Sequence, residues 1–274
     1  MATHLQVASG HPSGFGASCR KDRWWAGPTA TVVGLLAFIV YTTWAVFQGE
    51  HFTAGPYLSP FYSPVLFTPP SGEGMSHAWF GDWPSFWPDF VPASPGILIL
   101  MFPALLRFTC YYYRKAYYRA FAGSPPGCAV VPLAEGKPYH GETKLLIFQN
   151  LHRYALYLAL PYIPILTYDA ILGLSHQGEA GIGLGTVIMF LNAFFIGAFT
   201  LGCHAFRHLI GGHDDCMSCG QSTLKFSAWK GASWLNGRHQ KFAWISLFWV
   251  MGTDLYIRLC SMGVIVDPNT WGGF

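Results

Sequence analysis

Five apolar stretches alternate with clusters of basic residues along this 274-residue chain, and no other feature constrains its fold as strongly. Each stretch has about 20 residues, the length a helix needs to cross a bilayer. Charged residues make up 11% of the chain, whereas soluble domains have about 25%. The sequence therefore predicts an all-α integral membrane protein, a bundle of five transmembrane helices. The predicted spans are residues 28–48, 95–113, 151–174, 184–209 and 241–263.

The basic residues predict the orientation of these spans. Fifteen of the sixteen Lys and Arg residues precede the first span or surround two connections, second to third and fourth to fifth. The other two connections, residues 49–94 and 174–183, contain none. Cytoplasmic loops carry an excess of Lys and Arg. We therefore expect a multi-pass protein of the inner (plasma) membrane, with its N-terminus in the cytoplasm and its C-terminus outside.

This topology divides the chain into one membrane domain and short flanks. The expected parts are a cytoplasmic tail (1–27), an anchor domain (28–263) with an outer loop (49–94) and inner loops (114–150 and 210–240), and an outer tail (264–274). The outer loop is rich in Pro, Gly and Trp, which suits a cap at the bilayer surface. The inner loops are too small for a soluble active-site domain.

Potential metal ligands gather at one predicted membrane level, near the cytoplasmic ends of the spans. They are Cys110, Cys128, His152, Cys203, His204, His208 and His239. A single cysteine in a span is usually a small apolar residue. Ionisable groups within spans are costly, however, and usually mark function. Their shared depth therefore predicts a metal or redox centre at this level.

Two kinds of centre suit this set of side chains. One haem b would need two histidines from facing helices and no thiolate. A [2Fe–2S] cluster can take two cysteines and two histidines, and a reducing cytoplasmic side keeps thiols free. The three cysteines favour the mixed-ligand cluster, held by two of them and two of the four histidines. The sequence leaves open which four side chains bind.

The segment "HDDCMSCG" offers an alternative metal site. His213, Cys216 and Cys219 include the Cys-x-x-Cys spacing of many zinc and iron–sulfur sites. With no second pair nearby, the same spacing is equally typical of a plain reduced loop.

Three charged residues lie near the opposite ends of the spans. Asp254 and Arg258 are four residues apart in the fifth span, and Asp169 lies at a similar depth in the third. Isolated charges in a bilayer are costly, so the three are expected to cluster. They could form a proton path, a second quinone pocket or an ion pair that fixes helix register.

Four segments carry a resemblance to a known family. They are "RFTCYYYRKAYYRAF" (107–121), "NLHRYALYLALPY" (150–162), "CHAFRHLIGG" (203–212) and "LNGRHQKFAWISLFWVMGTDLYIRL" (235–259). Together they resemble the membrane-anchor subunit of bacterial succinate dehydrogenases, especially the actinobacterial kind. The resemblance covers most of residues 95–263, but not the N-terminal tail, the outer loop or "HDDCMSCG".

The resemblance implies a subunit of a respiratory complex. A flavoprotein subunit would oxidise succinate, an iron–sulfur subunit docked on the cytoplasmic side would pass the electrons on, and the anchor would bind menaquinone and often haem b. Because the histidines here gather near one face, two stacked haems are not expected. Whether a further small membrane subunit completes the anchor is left open. We expect the chain to contact membrane lipid and not to bind nucleic acid.

Quinone binding needs hydrogen-bond donors beside an apolar slot. Tyr113, Arg114, Tyr117 and Arg119 are the proposed donors, although such a run is also typical of an aromatic belt with basic flanks. Succinate oxidation itself is not expected in this chain, since it lacks a dinucleotide-binding fingerprint and a flavin domain. Two alternatives stay open. One is a redox-inert scaffold, and the other is a transporter subunit that uses Asp169, Asp254 and Arg258.

Overall fold

The computed structural model describes residues 13–134, 144–212, 216, 219 and 223–271. Within them the chain is mostly helical, with two short antiparallel hairpins. The elements are α1 (Ala26–Gln48), β1 (Thr53–Ala54), β2 (Tyr57–Leu58), α2 (Pro95–Ile99), α3 (Met101–Thr109), α4 (Tyr111–Ala120), α5 (Leu145–Ala159), α6 (Tyr162–Leu172), β3 (Ser175–His176), β4 (Glu179–Ala180), α7 (Leu184–Leu201), α8 (His204–Gly211), α9 (Thr223–Asn236) and α10 (His239–Ser261).

Three helical segments are long and apolar enough to cross a membrane. They are Ala26–Gln48, Leu145–Leu172 and Leu184–Leu201, which match the predicted first, third and fourth spans. The predicted second span is divided between α2 and α3, and α10 carries three charged residues along its 23. Five spans and the orientation of the termini therefore stay predictions.

Two interruptions divide predicted spans for clear local reasons. Pro161 separates α5 from α6, because proline has no backbone N–H and its ring clashes with the preceding turn. Gly202 ends α7, and a Cβ there would lie 2.7 Å from the carbonyl oxygen of Ala198. A side chain at this position would therefore require its neighbours to move. α7 ends at Leu201, and the short helix α8 follows it.

The chain divides into two compact units. Unit 1 comprises residues 1–37 and 110–145. In it the N-terminal segment pairs with the loop after α4, through Gly16 N–H to the Val131 carbonyl (3.0 Å) and Ser18 Oγ to the Ala129 carbonyl (2.7 Å). Arg20 donates to the Cys128 carbonyl at 2.9 Å. These bonds order the N-terminal segment before α1 begins.

Unit 2 comprises residues 38–109 and 146–274, and α7 lies at its centre against α6 and α10. The loop after α1, which we call the cap (residues 49–94), folds onto this unit. Phe52 stacks on Tyr62 with ring centroids 4.2 Å apart, within a buried cluster that includes Val250 of α10. The Glu73 carboxylate accepts backbone N–H bonds from His51, Phe52 and Thr53 at 2.7–2.8 Å. The cap is therefore a folded element of the unit.

The end of the chain is also tied to unit 2. Asp267, which is 2% exposed, accepts hydrogen bonds from the Tyr57 hydroxyl (2.9 Å), the Tyr256 hydroxyl (2.5 Å) and the Gly185 N–H (2.8 Å). This carboxylate joins the cap, α7 and α10 through one buried group. The predicted outer tail is thus packed against the bundle as far as residue 271.

Candidate functional site

Residues of α3, α5, α7 and α10 meet within unit 2, with Cys203 just after α7, and form a group of polar and aromatic side chains. We call it the basic-end cluster, after the basic residues that neighbour these segments in the sequence. Its members are Arg107, Thr109, His152, Phe199, Cys203, His239 and Ser246. The contacts among them define the site.

A chain of hydrogen bonds runs through His152. The Thr109 hydroxyl donates to the Leu105 carbonyl at 2.7 Å, so its oxygen is left to accept from His152 Nδ1 at 2.9 Å. His152 Nε2 lies 2.8 Å from Cys203 Sγ. A neutral imidazole with its proton on Nδ1 accepts at Nε2, so the thiol donates to it. His152 is thereby oriented at both nitrogens and joined to a group that can give up a proton.

Aromatic and cationic side chains surround this pair. The His239 ring stacks on Phe199 with centroids 4.8 Å apart, and the Arg107 guanidinium lies 4.6 Å from the Phe199 centroid. Arg107 also donates to Ser246 Oγ at 3.0 Å and to the Ala243 carbonyl at 3.3 Å. His239 interacts electrostatically with both His152 and Arg107. The cluster thus holds a fixed positive charge beside two imidazoles.

The backbone positions Cys203 by breaking the helix at that residue. Cys203 has extended torsion angles (φ −65°, ψ 142°) and begins α8, and its carbonyl accepts the first α8 bond, from Arg207 N–H at 3.1 Å. Asn236 of α9 donates to the Gly202 carbonyl at 2.9 Å. Backbone irregularity at membrane depth is tolerated only where its polar groups find partners. The break therefore turns the thiol into the bundle without leaving this carbonyl unpaired.

A second cysteine lies at a similar break, in unit 1. Cys110 has extended torsion angles (φ −61°, ψ 127°) and begins α4. Its sulfur is not part of a disulfide, and both Cys110 and Cys203 are 3% exposed. Each of these two predicted ligands is thus buried where one helix gives way to the next.

The remaining predicted ligands differ in their environment. His152 and His239 are half-buried, and they belong to the basic-end cluster. Cys128, His204 and His208 are exposed. The predicted membrane level thus includes more candidate ligands than meet in the structure. His204 and His208 are on α8, and both are exposed.

The donors that a metal centre needs are only partly assembled. Among the described residues, no three His, Cys, Asp or Glu side chains form a group that could hold a metal ion. The predicted [2Fe–2S] cluster needs four such ligands, so the described geometry does not support it. Ligation of iron by His152, in haem b or in a cluster, would displace one of the partners that its two nitrogens now have.

The alternative metal site lies largely outside the description. His213 is not among the described residues, and Cys216 and Cys219 form a disulfide with each other. Sulfur atoms in a disulfide are not thiolate ligands. Metal binding by "HDDCMSCG" therefore stays a prediction for the reduced chain.

An apolar cavity of about 110 Å³ opens beside the basic-end cluster, within unit 2. Arg107, Phe199 and Thr200 line one part of it, and Phe61 and Tyr162 line another. A cavity of about 150 Å³ holds one benzene molecule. The space therefore admits part of an aromatic ring, and a naphthoquinone headgroup would require side chains to move.

The proposed quinone donors lie on α4, in unit 1. Tyr113 is 1% exposed and Arg114 is 5% exposed, whereas Arg119 is half-buried. The Tyr113 and Tyr117 rings stack at 6.3 Å, and the Arg114 guanidinium lies 5.8 Å from the Tyr111 ring centroid. An aromatic belt facing lipid would expose these side chains, so the burial of Tyr113 and Arg114 favours a role inside the protein.

At the other end of the bundle, two of the three predicted charged residues pair. Asp254 (0% exposed) and Arg258 (1% exposed) form a salt bridge with 3.4 Å between Nε and Oδ2. Asp254 also accepts hydrogen bonds from Tyr41 at 2.6 Å and from Ser59. Asp169 instead accepts from Ser63 of the cap.

Several residues of these sites were not predicted from the sequence. Arg107 was counted only among the basic residues around the second connection, yet it lies in the last turn of α3 and donates to α10. Its position three residues before Cys110 was the available signal. Nothing in the sequence indicated that Thr109 would orient His152, or that Ser59 and Ser63 of the cap would contact two buried carboxylates.

Comparisons with known proteins agree with this architecture. A family profile described as actinobacterial succinate dehydrogenase subunit SdhC matches residues 26–263. A chain of the solved structure "Mycobacterium smegmatis Sdh1 complex in the apo form" is 37% identical, and the superposition has a TM-score of 0.80. The match covers 96% of this chain and 99% of that one. A search of curated proteins finds no match.

Proposed function

This chain belongs to the actinobacterial succinate dehydrogenase SdhC family, and we propose that it forms the quinone-reducing part of that enzyme. It is a multi-pass inner-membrane subunit that assembles with the flavoprotein and iron–sulfur subunits. The proposal adds that menaquinone is reduced at the cytoplasmic end of the bundle, beside the basic-end cluster. Electrons would come from the docked iron–sulfur subunit.

One observation carries this proposal: the buried Cys203 thiol and the half-buried His152 imidazole are hydrogen-bonded at 2.8 Å, in a cluster that also contains the half-buried Arg107. Reducing a quinone to its quinol takes two electrons and two protons. Cys203 would pass its proton to His152 Nε2, and the imidazolium, once one of its two N–H groups leaves its present partner, would give a proton to a quinone oxygen. A proton from water would restore the Cys203 thiol, and the same transfer repeated would supply the second proton. Arg107 would stabilise negative charge that develops on the quinone oxygen before the proton arrives.

We also propose the mixed-ligand [2Fe–2S] cluster that the sequence predicts. His152, Cys203 and His239 are side chains of the right chemical type for it, but no three such side chains among the described residues form a group that could hold a metal ion. The cluster ligands would be two of Cys110, Cys128 and Cys203 and two of His152, His204, His208 and His239, and which four bind stays open. The cluster would supply one-electron transfer between the partner and the quinone.

Exchange of single cysteines tests the proposal. In the purified complex, Cys203→Ser is expected to lower succinate:menaquinone reductase activity by about tenfold or more, because it weakens the proton donor to His152. Reduction of a soluble dye by the partner subunits should not change. Cys128→Ser is the matched control, since that thiol is exposed. Equal quinone activity in the two variants would contradict the proposal.

Iron and acid-labile sulfide, measured on the same preparations, address the cluster separately. If Cys203 is a ligand, Cys203→Ser loses two iron atoms per complex relative to Cys128→Ser, as one [2Fe–2S] cluster contains. If the two variants have equal iron contents but Cys203→Ser has lost quinone activity, the proton-donor role of Cys203 is supported and its role as a cluster ligand is contradicted. A complex with normal quinone activity in both variants would favour the redox-inert scaffold.

We also propose that Tyr113, Arg114, Tyr117 and Arg119 contribute to quinone binding. The buried guanidinium of Arg114 is the strongest candidate among them. Arg114→Gln is expected to raise the KM for a menaquinone analogue by about tenfold, the cost of losing one charge-assisted hydrogen bond. Lys115→Gln alters the exposed neighbour on α4 and should leave KM unchanged. Similar KM values in the two variants would place the quinone elsewhere.

The transporter alternative makes a different prediction from the same complex. Asp254 is already satisfied by Arg258, Tyr41 and Ser59, which suits a structural pair better than a path for a substrate. Solute uptake that depends on Asp254 in proteoliposomes would support transport instead.

A further inference from the structure

A cavity of about 400 Å³ lies within unit 2 between the cap and α6, at the end of α6 away from the basic-end cluster. One wall is formed by cap residues around Ser76 and His77, and the other by Tyr168 and Asp169 of α6. The remaining lining is mostly apolar and includes Val65 and Ile165. The site is thus amphipathic, with few polar groups on an apolar wall, as small-molecule sites usually are.

Asp169 is the charged side chain among the described residues that line this cavity. It is 6% exposed, and the hydrogen bond that its carboxylate accepts from Ser63 is made to one oxygen, Oδ2. Within the described part of the chain, Oδ1 has no donor. A buried carboxylate is costly unless it is paired and hydrogen-bonded. The ligand should therefore bring a hydrogen-bond donor, and preferably a positive charge.

No Lys or Arg is among the described residues that line the cavity. Arg258 of α10, a buried cation of the same unit, is engaged by Asp254, Gln48 and the Glu50 carbonyl. Burial lowers the pKa of His77, which keeps its imidazole neutral near pH 7. Within the described residues, Asp169 therefore has no cationic partner, and a bound ligand can supply one.

We propose that this cavity binds the primary-ammonium headgroup of a membrane phospholipid, with the ammonium on Asp169. The ammonium donates to Oδ1 and supplies the missing positive charge. The neutral imidazole of His77 and the hydroxyl of Ser76 are donors for the adjoining phosphate. Val65, Ile165 and the other apolar lining residues face the glycerol and the first acyl carbons.

The geometry disfavours other cations. A divalent metal takes six or more oxygen ligands, and among the described residues no group of carboxylates or imidazoles offers such a set. A choline headgroup has no N–H to donate to Oδ1. A primary ammonium has three donors, so it can bind the carboxylate directly and still contact a second acceptor.

Lipid retention by the intact complex tests the inference. The complex is purified, placed in nanodiscs of equal phosphatidylethanolamine and phosphatidylcholine, exchanged into detergent and analysed for bound lipid by native mass spectrometry. We expect the wild type to retain phosphatidylethanolamine in preference. Asp169→Asn should reduce that retention by about tenfold or more, since it removes the charge from one side of a buried pair. Asp89→Asn, an exposed cap carboxylate, is the matched control.

A second variant and a second ligand keep the result interpretable. Ala78 lines the cavity, so Ala78→Leu should displace the lipid while leaving the charge intact. Free ethanolamine at millimolar concentration should not compete if the lipid, with its phosphate and glycerol, is the source of the ammonium. Equal retention of the two lipids by the wild type would overturn the proposal. A bound menaquinone lost in Asp169→Asn would overturn it in favour of a quinone site.

Discussion

Replacing His152 with alanine is expected to lower succinate:menaquinone reductase activity of the complex by about 100-fold or more, the usual contribution of a positioned proton donor. His152 is held at Nδ1 by Thr109 (2.9 Å) and at Nε2 by Cys203 (2.8 Å). Alanine therefore removes the central member of this series of hydrogen bonds, not a terminal one. The assay follows the reduction of a menaquinone analogue in nanodiscs.

Two measurements separate this loss from a failure to assemble. Succinate-dependent reduction of a phenazine dye reports on the partner subunits alone, and it should be unchanged. His204→Ala removes an exposed histidine from α8 and should keep quinone activity. If His152→Ala and His204→Ala had the same quinone activity, the basic-end cluster would have no part in the reaction.

A gentler substitution distinguishes proton transfer from packing. His152→Gln keeps a side chain that can hydrogen-bond to Thr109, but glutamine does not take up a proton near pH 7. If His152 acts as a proton donor, this variant stays nearly as slow as His152→Ala. Recovery of activity in His152→Gln would mean that His152 only fills and orients the site.

The sequence predicts the features of this fold that depend on the bilayer better than those that depend on packing. Span length and basic flanks depend on the bilayer alone, so α1 (Ala26–Gln48) agrees with the predicted span 28–48 within two residues. α7 begins at the predicted residue 184 but ends at Leu201, eight residues before the predicted end at 209. Helix breaks depend on packing instead. A side chain at Gly202 would approach Ala198 and Leu235 closely, and nothing local to the sequence reports that contact.

The same distinction explains the candidate site. Depth along the bilayer is a one-dimensional property, and it correctly placed His152 and Cys203 at one level. Which side chains meet also depends on rotation about each helix axis and on the break before α8. The sequence pattern left that rotation open, so His204 and His208 were included although the structure exposes them.

The opposite end shows a similar limit. Asp254 and Arg258 are four residues apart on one helix, so the pair was predictable from spacing. Asp254 and Asp169 accept hydrogen bonds from two cap residues, Ser59 and Ser63. These contacts depend on how the 46-residue cap folds back onto the helices. The local periodicity of the sequence does not predict such contacts between distant segments. The separation of Asp169 from the ion pair is therefore visible only in the structure.

Replacing Arg258 with methionine is expected to destabilise the subunit by about 3–5 kcal/mol, the range for removing one partner of a buried ion pair. Asp254 is fully buried and would keep only its hydroxyl donors, Tyr41 and Ser59. Gln48 Oε1 and the Glu50 carbonyl would also lose donors, now at 2.6 and 2.8 Å. Thermal unfolding of the purified complex and the yield of assembled subunits measure the effect.

Lys241→Met is the matched control, because it removes a cation from the exposed first turn of the same helix and should cost little. The double variant Asp254→Asn with Arg258→Met should recover much of the loss, since it leaves no unpaired charge and a buried ion pair can often be replaced by neutral groups. If Arg258→Met unfolds at the same temperature as Lys241→Met, the pair contributes no stability. If the double variant is instead the least stable of the three, the Tyr41 and Ser59 hydrogen bonds to Asp254 matter more than its pairing with arginine.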